Sequence, residues 1–209
     1  METLYIKNPN KIENKSMEII DEVMNDISYT EEEKIIVKRM IHTTGDFDYK
    51  NIIEFKNDFV TKAKEGIKEG KILYTDTRMA FSGINRKALK KASLELQCLV
   101  SDDKTWEMSK EKKTTRSAVA IDLAVSMGID IFVIGNAPTA LFRLCELIGE
   151  GKVNPKFIIG VPVGFVGAAE SKELLRTVDV PSITTVGTKG GSNVAASIVN
   201  ALLYMVVGR

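Results

Sequence analysis

The sequence predicts an α/β fold, a three-layer sandwich in which a mainly parallel sheet is covered by helices on both faces. Two observations predict it. From Asn51 onward, short apolar runs alternate with helical segments, the signature of strand–helix–strand units. Several of those runs, such as "IFVIG" and "FIIGV", are apolar at every position. Half-buried strands alternate, whereas parallel strands covered on both sides do not.

The N-terminal part is helical. Ile12, Met17, Ile20 and Met24 lie near helical spacing and predict a helix from Pro9 to Ile27. Thr30, with Glu33 three positions on, forms a capping box that starts a second helix, and Gly45 ends it after Thr44. Strands are expected at 52–55, 71–76, 94–101, 130–135, 156–162 and 182–187. Helices are expected at 58–69, 85–92, 115–127, 137–150, 166–176 and 192–207. The charged stretch "SDDKTWEMSKEKKTT" (101–115) is too polar for core and reads as a solvated loop, with a lid as the functional alternative. One domain over 1–209 is the simplest division, with an N-terminal helical segment at about 9–45 and an α/β core at about 51–207. The apolar face of the last helix suits either core or a dimer seam.

Composition narrows the function. With 29 basic and 28 acidic residues, nothing suggests a nucleic-acid partner, and an anionic ligand would need local positive potential. Cys98 and Cys145 sit in apolar settings and read as buried thiols of a reducing cytoplasm. One histidine and no close cysteine pair argue against a metal site built by the protein. The first residues lack the apolar core of a signal peptide, and no run reaches the roughly 20 residues of a membrane span. A soluble, cytoplasmic protein is expected.

In a parallel sheet the loops leaving the strands gather along one edge, with the N-termini of the succeeding helices. Four such loops stand out: "KTTRSAVAID", "NAPTAL", "VGFVGAAES" and "GTKGGSNVA". Each places amides at a helix start, where they can cradle a carboxylate or phosphate. Arg116 and Lys189 are the full charges among them, which suggests a ligand fringed with several anionic groups. Neither GxGxxG after a strand nor GxxxxGK[ST] is present, which points away from NAD and ATP.

His42, in "RMIHTTGD", falls in the last turn of the second helix. Imidazole is the side chain best suited to exchange a proton near neutrality. Catalysis and an incidental surface role both fit its position. Asp46 suits either an acceptor for the second ring nitrogen or a cap for the next segment of chain. Arg116 could serve a ligand or pair with Asp102 or Asp103, and Thr77 and Arg78 could be turn residues.

The blocks "RMIHTTGDFDY", "NAPTALF", "GVPVGFVGAAESKELL" and "GTKGGSNVAASIVNALL", with "PNKIENKSMEII" near the start, resemble the precorrin-8X methylmutase family of corrin biosynthesis over essentially the whole chain. The resemblance implies an isomerase that moves a methyl group from carbon 11 to carbon 12 of precorrin-8 or cobalt-precorrin-8. It also implies a homodimer with a pocket near the interface. His42 matches the family's catalytic histidine, a proton donor near ring C. Any cobalt is carried by the substrate, and no cofactor is implied. Ser16, Thr43, Thr44, Thr77, Arg116, Ser117 and Lys189 are the candidates for the carboxylate rim, chosen by loop position and residue type. A corrinoid carrier without catalysis and an enzyme for a smaller polyanion are the competing readings.

Overall fold

The computed structural model describes residues 5–24 and 27–209. The chain runs α1 (Pro9–Val23), α2 (Glu31–Thr44), α3 (Tyr49–Ile52), β1 (Ile53–Lys56), α4 (Phe59–Glu69), β2 (Ile72–Thr75), α5 (Arg78–Gly83), α6 (Arg86–Lys91) and β3 (Glu95–Gln97). It continues through α7 (Asp103–Glu111), α8 (Arg116–Ser126), β4 (Ile131–Ile134), α9 (Pro138–Gly149), β5 (Phe157–Gly160), α10 (Ala168–Thr177), β6 (Ser182–Thr185) and α11 (Ser192–Val207).

The strands form one sheet in the order β1-β6-β5-β4-β2-β3, parallel except for β1, which pairs antiparallel with β6. Successive residues of a strand face opposite sides, so each apolar strand feeds two cores. Leu73, Ile131, Val133, Phe157, Ile159 and Ile183 pack with α2, α4 and α11 on one face. Tyr74, Phe132, Ile134 and Ile158 pack with α8, α9 and α10 on the other. Both layers are dense. Truncating Phe132, which has no exposed surface, would cost about 3–5 kcal/mol. This is the expected α/β sandwich. Among the described residues no helix is long and apolar enough to cross a membrane.

The second helix forms as its ends dictate. Thr30 Oγ1 accepts from the Glu33 amide at 3.3 Å, and Glu33 Oε2 accepts from the Thr30 amide at 2.8 Å. Gly45, in the left-handed region at φ 68°, closes the other end by donating its N–H to Ile41 O at 2.8 Å.

Several boundaries differ from expectation. The first helix ends at Val23 with Met24 as its cap, short of Ile27, and residues 25 and 26 lie outside the described residues. β3 stops at Gln97 instead of 101, because the chain turns where the Asp102 amide donates to Leu99 O at 3.2 Å. The stretch expected as a loop at 101–115 is largely α7. Its inward face is built from Thr105, Ser109 and Met108, so burial leaves no apolar stripe in the sequence. Thr105 Oγ1 donates to Leu99 O at 2.7 Å and ties α7 to the end of β3. The short helices α3 and α5 were not expected.

Candidate active site

The parallel strands end along one edge, where the loops after β2, β4, β5 and β6 meet. Asp76, directly after β2, organises its centre. The side chain is almost wholly buried, and its oxygens accept from the amides of Gly135 (2.9 Å), Asn136 (2.9 Å) and Ala137 (2.8 Å). Burial raises the carboxyl above its ordinary value, and the three N–H groups oppose that rise. The amides of the loop leading into α9 are therefore occupied by the protein's own carboxylate. The sequence places Asp76 at the end of the expected strand 71–76 and gives it no role, because its amide partners lie 59 to 61 positions away.

Other helix starts are also self-capped. Thr77 caps α5 by accepting from the Ala80 amide at 3.0 Å, and its hydroxyl lies 2.8 Å from Ser192 Oγ. Thr115 caps α8, accepting from the Ala118 amide at 3.2 Å while donating to Thr139 Oγ1 at 2.8 Å. The loop before α10 differs, since Phe165 and Val166 stand 93% and 88% exposed. Arg116, exposed at the first turn of α8, does not pair with Asp102 or Asp103. Its guanidinium lies over the Trp106 ring at 5.0 Å, with Lys110 over the same ring at 4.8 Å. Asp102 instead faces Arg78 at 3.9 Å. Ser117, beside Arg116, is half-buried.

His42 is exposed in the last turn of α2. It borders an open depression of about 260 Å³ floored by Ile19, Ile20, Ile41 and Phe47, with Ser16 and Gly45 at its margin. No hydrogen bond to the imidazole occurs among the described residues, so its nitrogens are free for a ligand. Thr43 is exposed beside it. Thr44 is engaged: its hydroxyl donates to Met40 O at 2.8 Å and accepts from the Asp46 amide at 3.2 Å. The Ser16 hydroxyl donates to Ile12 O at 2.9 Å and keeps its acceptor capacity.

Asp46 does not orient the imidazole. The left-handed turn at Gly45 carries the chain away, and Asp46 Oδ2 binds Lys189 Nζ at 2.6 Å. Asp48 Oδ2 takes the same ammonium at 3.1 Å. Lys189 holds the Asp46 carboxyl below its ordinary range, and Asp46, then Asp48, raise the Lys189 ammonium in turn. Lys189 is thus an occupied cation in the protein as it stands. Ser16, Thr43 and Thr44 are brought together around His42, while Thr77 follows β2, and Arg116 and Ser117 open α8 directly after α7 and not after a strand.

Sequence and structure comparisons agree on the family of the chain. The family model described as CbiC, precorrin-8X methylmutase, matches residues 11–205. The chain belongs to the precorrin-8X methylmutase family. It is 44% identical over 207 residues to the cobalt-precorrin-8 methylmutase of Salmonella typhimurium, spanning 96% of this chain and 97% of that one. It is 41% identical over 203 residues to the cobalt-precorrin-8 methylmutase of Leptospira interrogans, spanning 93% and 92%. The crystal structure of a precorrin-8x methyl mutase from Thermus thermophilus superposes with a TM-score of 0.87 at 33% identity, covering 95% of this chain and 96% of that one. The enzyme is a methylmutase, an isomerase of cobalamin biosynthesis.

Proposed function

We propose that the enzyme moves the methyl group of cobalt-precorrin-8 from C-11 to C-12, giving cobyrinate, with His42 as general acid. The substrate is taken from the names of the Salmonella and Leptospira relatives. The observation that carries the acid role is His42 itself, an exposed imidazole without a hydrogen bond among the described residues, beside an apolar floor. A methyl shift within one conjugated macrocycle is redox-neutral and requires neither an external nucleophile nor an electron carrier. It requires a proton lent near ring C, which draws electron density toward the migration terminus and is given back once the methyl has moved, and a rigid seat for one tautomer. Cobalt enters as part of the substrate, held by the corrin nitrogens.

Four apolar side chains suit the flat face of the macrocycle. Ser16 and Thr43 contact carboxylates nearest His42, and Arg116 with Ser117 takes one farther along the edge. Thr44, Thr77 and Lys189, whose polar groups have partners within the protein, act on the rim through the loops they fix. A depression of about 260 Å³ lies below the roughly 300–1,000 Å³ of pockets that hold drug-sized ligands. A second copy of the chain completes the pocket, in a homodimer. Two buried thiols, Cys98 and Cys145, suit a reducing cytoplasm.

The test is turnover of purified enzyme offered cobalt-precorrin-8 and precorrin-8 separately, monitored by visible absorbance. His42→Ala should retain substrate binding and lose about 10²–10⁴-fold in rate, the range of positioned acid–base groups. A near-normal rate in that variant would remove the acid, and faster turnover of metal-free precorrin-8 would reverse the substrate assignment.

A further inference from the structure

The structure assigns Lys172 and Lys189 to one clamp that positions the His42 end of α2 against the loop after β6. This inference rests on His42 being the acid, but the clamp has its own geometry. Lys172 lies on α10 with no exposed surface. Its ammonium donates to Lys189 O at 2.7 Å and to Thr185 Oγ1 at 3.0 Å. Thr185 Oγ1 also donates to Lys189 O at 2.7 Å, so two donors converge on one carbonyl. The side chain of Lys189 then reaches back to Asp46 at 2.6 Å and Asp48 at 3.1 Å. Both acids come only four and six positions after His42 in "HTTGDFD".

A second strut lies beside the first. Tyr49 Oη donates to Gly190 O at 3.3 Å, and the Gly191 amide donates to Val161 O at 2.9 Å. Gly190 packs so tightly that an added Cβ would collide with the Val161 carbonyl, so the loop backbone has one available path.

A lysine buried without a carboxylate is costly, and burial pushes Lys172 down to about 8. An apolar side chain would fill the same space without that cost, so the retained ammonium is explained by what it holds. The main chain of residue 189 is fixed from inside by Lys172. The side chain of the same residue fixes the turn after His42 from outside. Lys172 and Lys189 are positioning residues, acting through the Gly45–Asp48 turn.

His42 is the one histidine of the chain, so its imidazole Hε1 gives a single proton resonance that reports on this arrangement without activity. Lys189→Met, a change of a half-exposed side chain, should shift or split that resonance in the ligand-free enzyme. It should also lower kcat about 10–100-fold with KM changed less than about threefold, as expected when a proton donor is misplaced by an ångström. Lys189→Arg should restore most of both. Lys172→Met should move the resonance in the same sense. If it fails to fold, Thr185→Val removes one of the two donors to the Lys189 carbonyl and should give a smaller shift. An unmoved resonance and an unchanged kcat in Lys189→Met would overturn the clamp. A moved resonance with unchanged kcat would uphold the clamp and overturn the acid role of His42 instead.

Discussion

Asp76 and Asp46 both serve the loop edge of the sheet, yet the two carboxylates are held in opposite ways. Asp76 is buried and accepts three backbone amides that begin the β4–α9 loop. Asp46 is half-exposed and faces a lysine from the loop after β6. Between them lie the strands β4 and β5. The Asp76 side of the edge is pinned: three amides of the loop into α9 are taken by the protein itself. The Asp46 side is open, with His42 and Thr43 exposed beside an apolar depression. A desolvated carboxylate fixes a scaffold from within, whereas a half-exposed ion pair holds the turn beside His42 at the surface.

The sharpest way to break this contrast is at Asp76. Asp76→Ala leaves three amides without their acceptor in a dry site. Each unsatisfied group costs about 1–3 kcal/mol, so the loss of stability should be on the order of 3–5 kcal/mol after relaxation. Denaturant midpoints measure it. Asp76→Asn, which keeps one oxygen acceptor, should lose less than half of that. If Asp76→Ala melts like the parent enzyme, the edge is not pinned there.

The second effect separates Lys172 from the exposed lysines. Burial, with Arg176 adding repulsion, lowers its ammonium from 10.5 to about 8. Between those values the unfolded chain binds the extra proton, so stability rises as pH climbs from about 8 toward 10.5. At roughly 1.4 kcal/mol per pKa unit, the rise is at most on the order of 3 kcal/mol. Lys172→Met should flatten it over that window. An unchanged slope in a folded Lys172→Met protein would mean that the lysine titrates as an exposed one does.

How much of these regions is legible in the sequence depends on the range of the interactions. The layers were legible because fully apolar strands such as 157–160 carry their own signature, and α2 was legible because Thr30, Glu33 and Gly45 act within a turn of its ends. His42 could be placed at a helix terminus for the same reason. The helix α7 was hidden, since Thr105 and Ser109 form its buried face and polar residues do not announce burial. The partner of Lys189 was also hidden, because Asp46 is 143 residues away. Amide cradles were over-read: a helix start looks the same in sequence whether a ligand or Asp76 fills it.

The smallest effect is expected at Arg116, and it tests how far the open side extends. Its guanidinium is exposed and rests on the Trp106 ring at 5.0 Å, without a carboxylate partner among the described residues. A planar cation stacked on an aromatic ring loses little freedom when it meets a ligand carboxylate. Arg116→Ala should therefore weaken corrinoid affinity about tenfold, with kcat changed less than about threefold, because a rim contact is made equally in ground and transition states. Trp106 is the one tryptophan of the chain, so quenching of its emission on corrinoid binding measures that affinity directly. Loss of kcat with intact affinity would move Arg116 from the rim to the reacting centre. Equal affinity and equal kcat would confine the ligand to the His42 side of the edge.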